Sequence, residues 1–267
     1  MMEQPVNLFV VGAMKAGTTG FVNVLSRHPD IYVPPIKEPN YFSGNLPRTL
    51  YTPSPFFNLG TYFKSRFPQP LHIAKLETGA QHKKLYSLQP ETVTYAVDAS
   101  TSYLHNPVAA KNIYGYNAQA KIIVLTRDPL QRAHSHYLMN RGLGREARSF
   151  ENVMRAEIAQ YKNNTLPWHS CLAMSFYGEA VRRYVSVFGE NVKVVRFEAL
   201  RDGPRMVFDG VSAFLGIDGF EDVSVLKQNK GRSFKFPKLL LAIQRLGLKA
   251  VFSKLLPSQF KRALFNS

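Results

Sequence analysis

The run Asn7-Leu8-Phe9-Val10-Val11-Gly12-Ala13-Met14-Lys15-Ala16-Gly17-Thr18-Thr19 decides the fold. Its first five residues form a short, largely apolar, β-prone run that stops at a glycine, as a buried strand entering a turn does. Beyond Thr18-Thr19, the apolar residues Phe21, Val22, Val24 and Leu25 fall on one helical face, and the pattern ends before His28-Pro29. Strand, glycine loop and helix in that order aim backbone N–H groups and the positive end of a helix dipole at one point, which suits an anion such as phosphate. The nucleoside-triphosphatase form of this loop reads G-x-x-x-x-G-K-[ST]. Here Thr18 stands at the lysine position, and the lysine comes three residues earlier, at Lys15. The usual lysine spans the β- and γ-phosphates and the next hydroxyl holds Mg²⁺, so the shift argues against ATP and against a metal-dependent kinase. A glycine turn with no ligand is the competing reading. Two glycines, a lysine and paired threonines together weigh against it.

Outward from this loop, β-branched and aromatic runs predict strands at Thr92–Asp98, Lys121–Thr126 and Asn191–Phe197. Helical patterns cover Pro129–Asn140, Phe150–Tyr161, Ser175–Phe188 and Arg205–Leu215. Strands alternating with helices specify an α/β fold of P-loop-like type, with a central, mostly parallel β-sheet flanked by helices. Between Tyr41 and Pro70 the pattern breaks into a segment dense in proline, aromatic and polar residues, too long for an ordinary connection and therefore expected to be a binding loop. No internal repeat is evident.

The chain has 267 residues, 45% apolar and 19% charged, which fits one principal domain and excludes wholesale disorder, collagen-like repeats and coiled coils. The single cysteine, Cys171, forbids an intramolecular disulfide and fits a reducing compartment. There is no apolar run of membrane-spanning length, and Met1-Met2-Glu3-Gln4-Pro5 lacks the basic and apolar regions of an export signal, so the expectation is a soluble, cytoplasmic protein. Lys and Arg number 34 against 18 Asp and Glu, a net charge of +16 that attracts anionic ligands. Asp222 is the last acidic residue, and ten cations follow it from Lys227 to Arg262. Residues 1–236 therefore read as the domain and 237–267 as a basic, amphipathic, helical extension. It is expected to pack on the domain with its basic face solvated, with peripheral contact to the inner membrane surface as the second reading.

The loop resembles the 5′-phosphosulfate loop of the sulfotransferase superfamily, whose members transfer a sulfuryl group from 3′-phosphoadenosine 5′-phosphosulfate (PAPS). Two further motifs occur in family order. Arg127-Asp128-Pro129-Leu130-Gln131-Arg132-Ala133-His134-Ser135, after the predicted strand Lys121–Thr126, is similar to the family's 3′-phosphate motif. Asn229-Lys230-Gly231-Arg232-Ser233 looks like the loop that closes over the nucleotide in the glycan-modifying branch. The resemblance implies that Lys15, Ala16, Gly17, Thr18 and Thr19 hold the 5′ end of the donor and that Arg127 and Ser135 hold its 3′-phosphate, with Lys230, Gly231 and Arg232 covering it. Each of the two later motifs has a duller reading on its own, as a surface ion pair at a strand end and as part of a solvated basic tail.

Lys37-Glu38-Pro39-Asn40-Tyr41-Phe42 resembles the segment that carries the general base in heparan-type and bacterial carbohydrate sulfotransferases. By that resemblance Glu38 takes the proton of an acceptor hydroxyl or amine, Lys15 stabilises charge on the leaving oxygen, and Asn40, Tyr41, Phe42 and Asp98 contact the acceptor, a saccharide or glycolipid. A surface pair of Lys37 with Glu38 is the competing account. The chain departs from the heparan pattern twice. Asp98-Ala99 stands where relatives have a Glu-Lys pair, and Asn40 stands where a histidine is frequent.

No metal is expected. His134 and His136, two apart on a helix, point to different faces, so one should be packed and the other polar. Cys171 reads as a small buried residue, and Trp168 as a loop anchor or a sugar platform. Two other classes stay open on sequence: an ATP-dependent phosphoryl transferase, and a non-catalytic basic binder of nucleic acid that would show steep salt dependence without nucleotide preference. Of these partners, nucleic acid is not expected.

Overall fold

The computed structural model describes residues 6–47, 51–53 and 57–224. The basic extension at 237–267 and the Lys230-Gly231-Arg232 loop lie outside the described residues. Two compact units divide the chain, the first formed by residues up to Arg127 together with those from Tyr177, and the second by Asp128–Phe176. Among the described residues no helix is long and apolar enough to cross a membrane.

The first unit holds a five-stranded sheet. In chain order its strands are β1 (Leu8–Gly12), β2 (Ile31–Tyr32), β5 (Tyr95–Ala99), β6 (Lys121–Thr126) and β7 (Val192–Arg196), arranged β2-β5-β1-β6-β7 with every pairing parallel. β1 is buried along its whole length, as a central strand covered on both faces must be. The covering helices are α1 (Thr18–Leu25), α4 (Ala109–Tyr116), α7 (Gly178–Phe188) and α9 (Pro204–Leu215). Phe21 of α1 stacks on Phe208 of α9 at 5.1 Å, and Tyr114 of α4 meets Phe188 of α7 edge-on at 5.7 Å. β5 and β6 flank β1 on opposite sides, so the strand order switches direction at the carboxyl end of β1. In open parallel sheets that is where ligands sit.

A second, two-stranded parallel sheet, β3 (Ile36–Glu38) with β4 (Leu71–Ile73), carries Glu38 at its end, paired with Ile73. It rests with α2 (Leu59–Ser65) and α3 (Gly79–Leu85) on a satellite core of Ile36, Tyr62, Ala74, Leu76 and Leu85. The segment expected to be one long binding loop thus contains a helix. The side chain of Asn58 caps it by accepting from the Thr61 N–H at 2.8 Å, and Tyr62 anchors it. Seven residues rich in aromatics give too little helical periodicity to be seen in sequence.

The second unit contains α5 (Pro129–Gly142) and α6 (Phe150–Lys162), capped by Asp128 and Ser149, around a core of Ala133, Tyr137, Val153 and Cys171. Arg132 is fully buried there and donates to Ser175 Oγ at 2.8 Å and to the Cys171 carbonyl. His136 is buried beside it while His134 is exposed. Burial pushes the Cys171 thiol up to about 12, and Trp168 is half-buried beside His169.

Candidate active site

The loop after β1 is shaped by backbone that only particular residues tolerate. Gly12 has φ +145°, and a Cβ there would lie 2.9 Å from Leu104 Cβ and 3.4 Å from the Thr101 carbonyl oxygen, so no side chain fits. The Ala13 N–H donates to the Leu125 carbonyl on β6 at 2.6 Å, and the Ala16 N–H to the Ala13 carbonyl at 3.1 Å. Lys15 and Gly17 both take positive φ, 71° and 86°. Gly17 is the N-cap of α1 and supplies no side-chain cap, so the first-turn N–H groups of Thr18 and Thr19 are not covered by a capping side chain. Such an N-terminus favours an anion. Thr18 and Ala16 are buried, while Lys15 and Thr19 are partly exposed.

Arg127 leaves β6 against this loop. Its Nη1 donates to the Lys15 carbonyl at 3.2 Å, and its guanidinium lies 4.6 Å from the ring centre of Phe197, the first residue of α8 (Phe197–Asp202). Its Nε is buried with no hydrogen-bond partner among the described residues. An unspent buried donor on a fixed guanidinium fits a site for an anionic oxygen. The structure therefore brings Lys15 through Thr19 and Arg127 together. Ser135 is half-buried on α5 in the second unit.

Glu38 is 7% exposed. One carboxylate oxygen accepts from Lys37 Nζ at 3.3 Å, and the other accepts from the Thr101 hydroxyl at 2.8 Å and the Thr101 N–H at 3.4 Å. Thr101 also lines Gly12 with its carbonyl, so one residue links the carboxylate to the start of the loop. Lys37 does pair with Glu38, as the duller account had it, but both groups sit largely inside the protein, with side chains 14% and 9% exposed.

The four residues expected to meet an acceptor are mostly turned inward. Asn40 is wholly buried in a left-handed conformation, φ 53°. Its amide donates to the carbonyls of Glu38 at 2.7 Å and Ala74 at 2.9 Å, and its oxygen accepts from Ser102 at 2.6 Å. Phe42 is 4% exposed and joins the main core, and half-buried Tyr41 stacks on His82 at 4.5 Å. Asp98 is wholly buried and accepts from Ser100 Oγ and Tyr103 Oη, each at 2.8 Å. Burial raises its carboxyl to about 7 against those two hydrogen bonds. The structure thus turns the side chains of Asn40 and Asp98 wholly, and that of Phe42 almost wholly, toward protein rather than solvent. Lys75 donates to the carbonyls of Asn40, Tyr41 and Ser43 at 3.0, 3.3 and 2.9 Å.

Three residues here carry no sequence signal. Thr101 holds Glu38, and Phe197 touches both Arg127 and the Gly17 position. His72 sits on β4 between Leu71 and Ile73, which places it opposite Lys37 in register. Partial burial holds its imidazole below the ordinary value, with Glu38 pulling it up and Lys37 and Lys15 pushing it down. Its field thus comes from both the β3 end and the glycine loop. Among the described residues no group of three His, Cys, Asp or Glu side chains could hold a metal ion.

Residues 5–222 match the model of the sulfotransferase family. The crystal structure of a sulfotransferase from Alicyclobacillus acidocaldarius is similar at 29% identity and a TM-score of 0.64, covering 94% of this chain and 97% of that one. Among curated proteins, mouse (Mus musculus) bifunctional heparan sulfate N-deacetylase/N-sulfotransferase 4 is 26% identical over 220 residues, 78% of this chain and 22% of the relative. Mouse carbohydrate sulfotransferase 15 is 22% identical over 179 residues, 61% of this chain and 32% of the relative. The chain spans less than a third of the length of either curated relative. With the fold and motif order described above, the match over most of its length means that this chain belongs to the sulfotransferase family.

Proposed function

We propose that this chain is an enzyme that moves a sulfuryl group from PAPS to a hydroxyl or amine of a saccharide or glycolipid. The observation that carries this reading is the convergence at the carboxyl end of β1. The glycine loop, Arg127 hydrogen-bonded to that loop, and Glu38, whose partner Thr101 has its carbonyl beside Gly12, come together there. The carbohydrate acceptor rests on the likeness to a heparan sulfate N-sulfotransferase and a carbohydrate sulfotransferase.

The donor, when bound, supplies a sulfuryl group on a good leaving oxygen. The N–H groups at the start of α1, with Thr18 and Thr19, would hold its 5′ end, and Lys15 would offset negative charge there. Arg127, whose guanidinium is fixed by a carbonyl and an aromatic ring, would take the 3′-phosphate as a planar fork. Glu38 would accept the proton of the acceptor nucleophile, a role typically worth ~10²–10⁴ in rate. Thr101 and Lys37 keep its carboxylate oriented for that step.

Calorimetry of the full chain with adenosine 3′,5′-bisphosphate and AMP tests the donor half, and a clear preference for the bisphosphate is expected. Labelled PAPS with a panel of glycans and glycolipids tests the transfer. Glu38→Gln should abolish turnover while leaving bisphosphate affinity nearly intact. Equal affinity for the two nucleotides, or full turnover in Glu38→Gln, would refute the reading.

A further inference from the structure

Phe197 has no part in the motifs that point to the donor, yet it stands between the two groups assigned to grip it. β6 and β7 run parallel with Thr126 opposite Arg196, so Arg127 and Phe197 are the next residues to leave two neighbouring strands and emerge side by side. The guanidinium carbon of Arg127 lies 4.6 Å from the Phe197 ring centre, within cation–π range. The far edge of the same ring closes on the glycine loop. A Cβ built on Gly17 would meet Phe197 Cδ2 at 2.7 Å and Cε2 at 2.9 Å. The Arg127 Nη1 bond to the Lys15 carbonyl closes the circuit from loop to arginine to ring and back to loop.

We infer that Phe197 is a positioning residue for the donor, a rigid ring that fixes the distance and tilt between Arg127 and the Gly17 backbone. The inference rests on the donor reading above. A side chain that filled the volume without a flat π face would still occupy the space beside Gly17, where an added Cβ would also meet Leu200 Cδ2 at 3.8 Å, but it would leave the guanidinium free to turn away from the 3′-phosphate. The ring should therefore matter for a ligand with two anchoring phosphates and little for one with only the 5′ anchor.

Calorimetry on full-length Phe197→Leu and Phe197→Tyr, with adenosine 3′,5′-bisphosphate and AMP as probes, separates this from general damage. Phe197→Leu should lose about three- to tenfold of the preference for the bisphosphate over AMP, and Phe197→Tyr should retain it to within about twofold. A folded Phe197→Leu that keeps the wild-type ratio overturns the inference, as do equal losses for both nucleotides. If Phe197→Leu does not fold, Phe197→Met replaces it. A ratio lower in Met than in Tyr supports the ring's role, and equal ratios overturn it. Wild-type protein with no preference would bring down the donor reading itself. A normal wild-type preference with an indifferent Leu or Met variant would remove only Phe197.

Discussion

Thr101 donates to a single oxygen of the Glu38 carboxylate twice, from its hydroxyl at 2.8 Å and from its backbone N–H at 3.4 Å. The other oxygen is held by Lys37. On the proposed function Glu38 is a general base, which must meet the nucleophile in one geometry, and the shorter restraint on it comes from a side chain that can be deleted without shrinking the residue. Thr101→Val should leave donor affinity unchanged and lower kcat by about tenfold, a loss of orientation rather than of binding. It should also cost about 1–2 kcal/mol of stability, because a buried carboxylate loses a partner. Steady-state kinetics with PAPS and a thermal melt check both. An unchanged kcat would show that the Thr101 hydroxyl does not orient the base.

Asp98 gives the protein a pH-dependent liability. Burial raises its carboxyl to about 7 from an ordinary 3.8, although Tyr103 and Ser100 donate to it. Between those two values the folded protein holds a proton that the unfolded chain has released, so stability is greatest below about pH 4 for this group and falls as pH rises through about 7. Asp98→Asn cannot ionise. It should gain on the wild type as pH is raised from 4 to 8, by a few kcal/mol in order of magnitude. Chemical denaturation at several pH values measures the difference. A gap that does not change with pH would mean that Asp98 titrates alike in both states.

Gly17 is required for both conformation and space. Its φ of +86° is strained for any side chain, and an added methyl would run into the ring of Phe197 at 2.7 Å. Gly17→Ala should destabilise by about 2–4 kcal/mol, combining left-handed strain with overpacking. If the melting temperature is unchanged, the ring yields easily and the loop is less tightly braced than the distances imply.

These residues mark what could and could not be read in the chain beforehand. β1, the glycine loop and α1 were legible because a strand period, a glycine stop and a helical stripe follow one another within twenty residues. β6 was legible from its β-branched run, whereas Arg127 was singled out only by the family resemblance. The small sheet of β3 and β4 and the edge strand β2 were not legible, since these strands have two or three residues each and leave no period to detect. The burial of the expected acceptor side was not legible either. Asn40 and Asp98 are polar and flank the base in sequence or motif, which suggests exposure to a ligand, but their partners come from other segments folded over them. Long-range satisfaction of a buried polar group has no local signature. Thr101, His72 and Phe197 were silent for the converse reason, since ordinary residues acquire their roles only when strand register sets them beside Glu38, Lys37 and Arg127.

Asn40 separates the scaffold role from an acceptor role. Its amide hydrogens face two carbonyl oxygens, those of Glu38 and Ala74, so it clips the exit of β3 to the exit of β4 and holds the backbone at Glu38 in place. Asn40→Asp would aim a carboxylate at the same two carbonyls, close to Glu38 and Asp98, with no water to screen it. The expected cost is above about 3 kcal/mol at pH 8, with partial recovery in acid as the new carboxyl takes up a proton. Asn40→Gly accommodates the left-handed backbone, at φ 53°, and loses the side chain's hydrogen bonds and packing, so it should cost about 1–3 kcal/mol. The glycine variant should lower kcat by loosening Glu38 while leaving the KM for acceptor within about twofold. A large rise in KM with kcat preserved would return Asn40 to the acceptor surface, and an Asp variant as stable as the wild type would mean that the amide does not donate to those carbonyls.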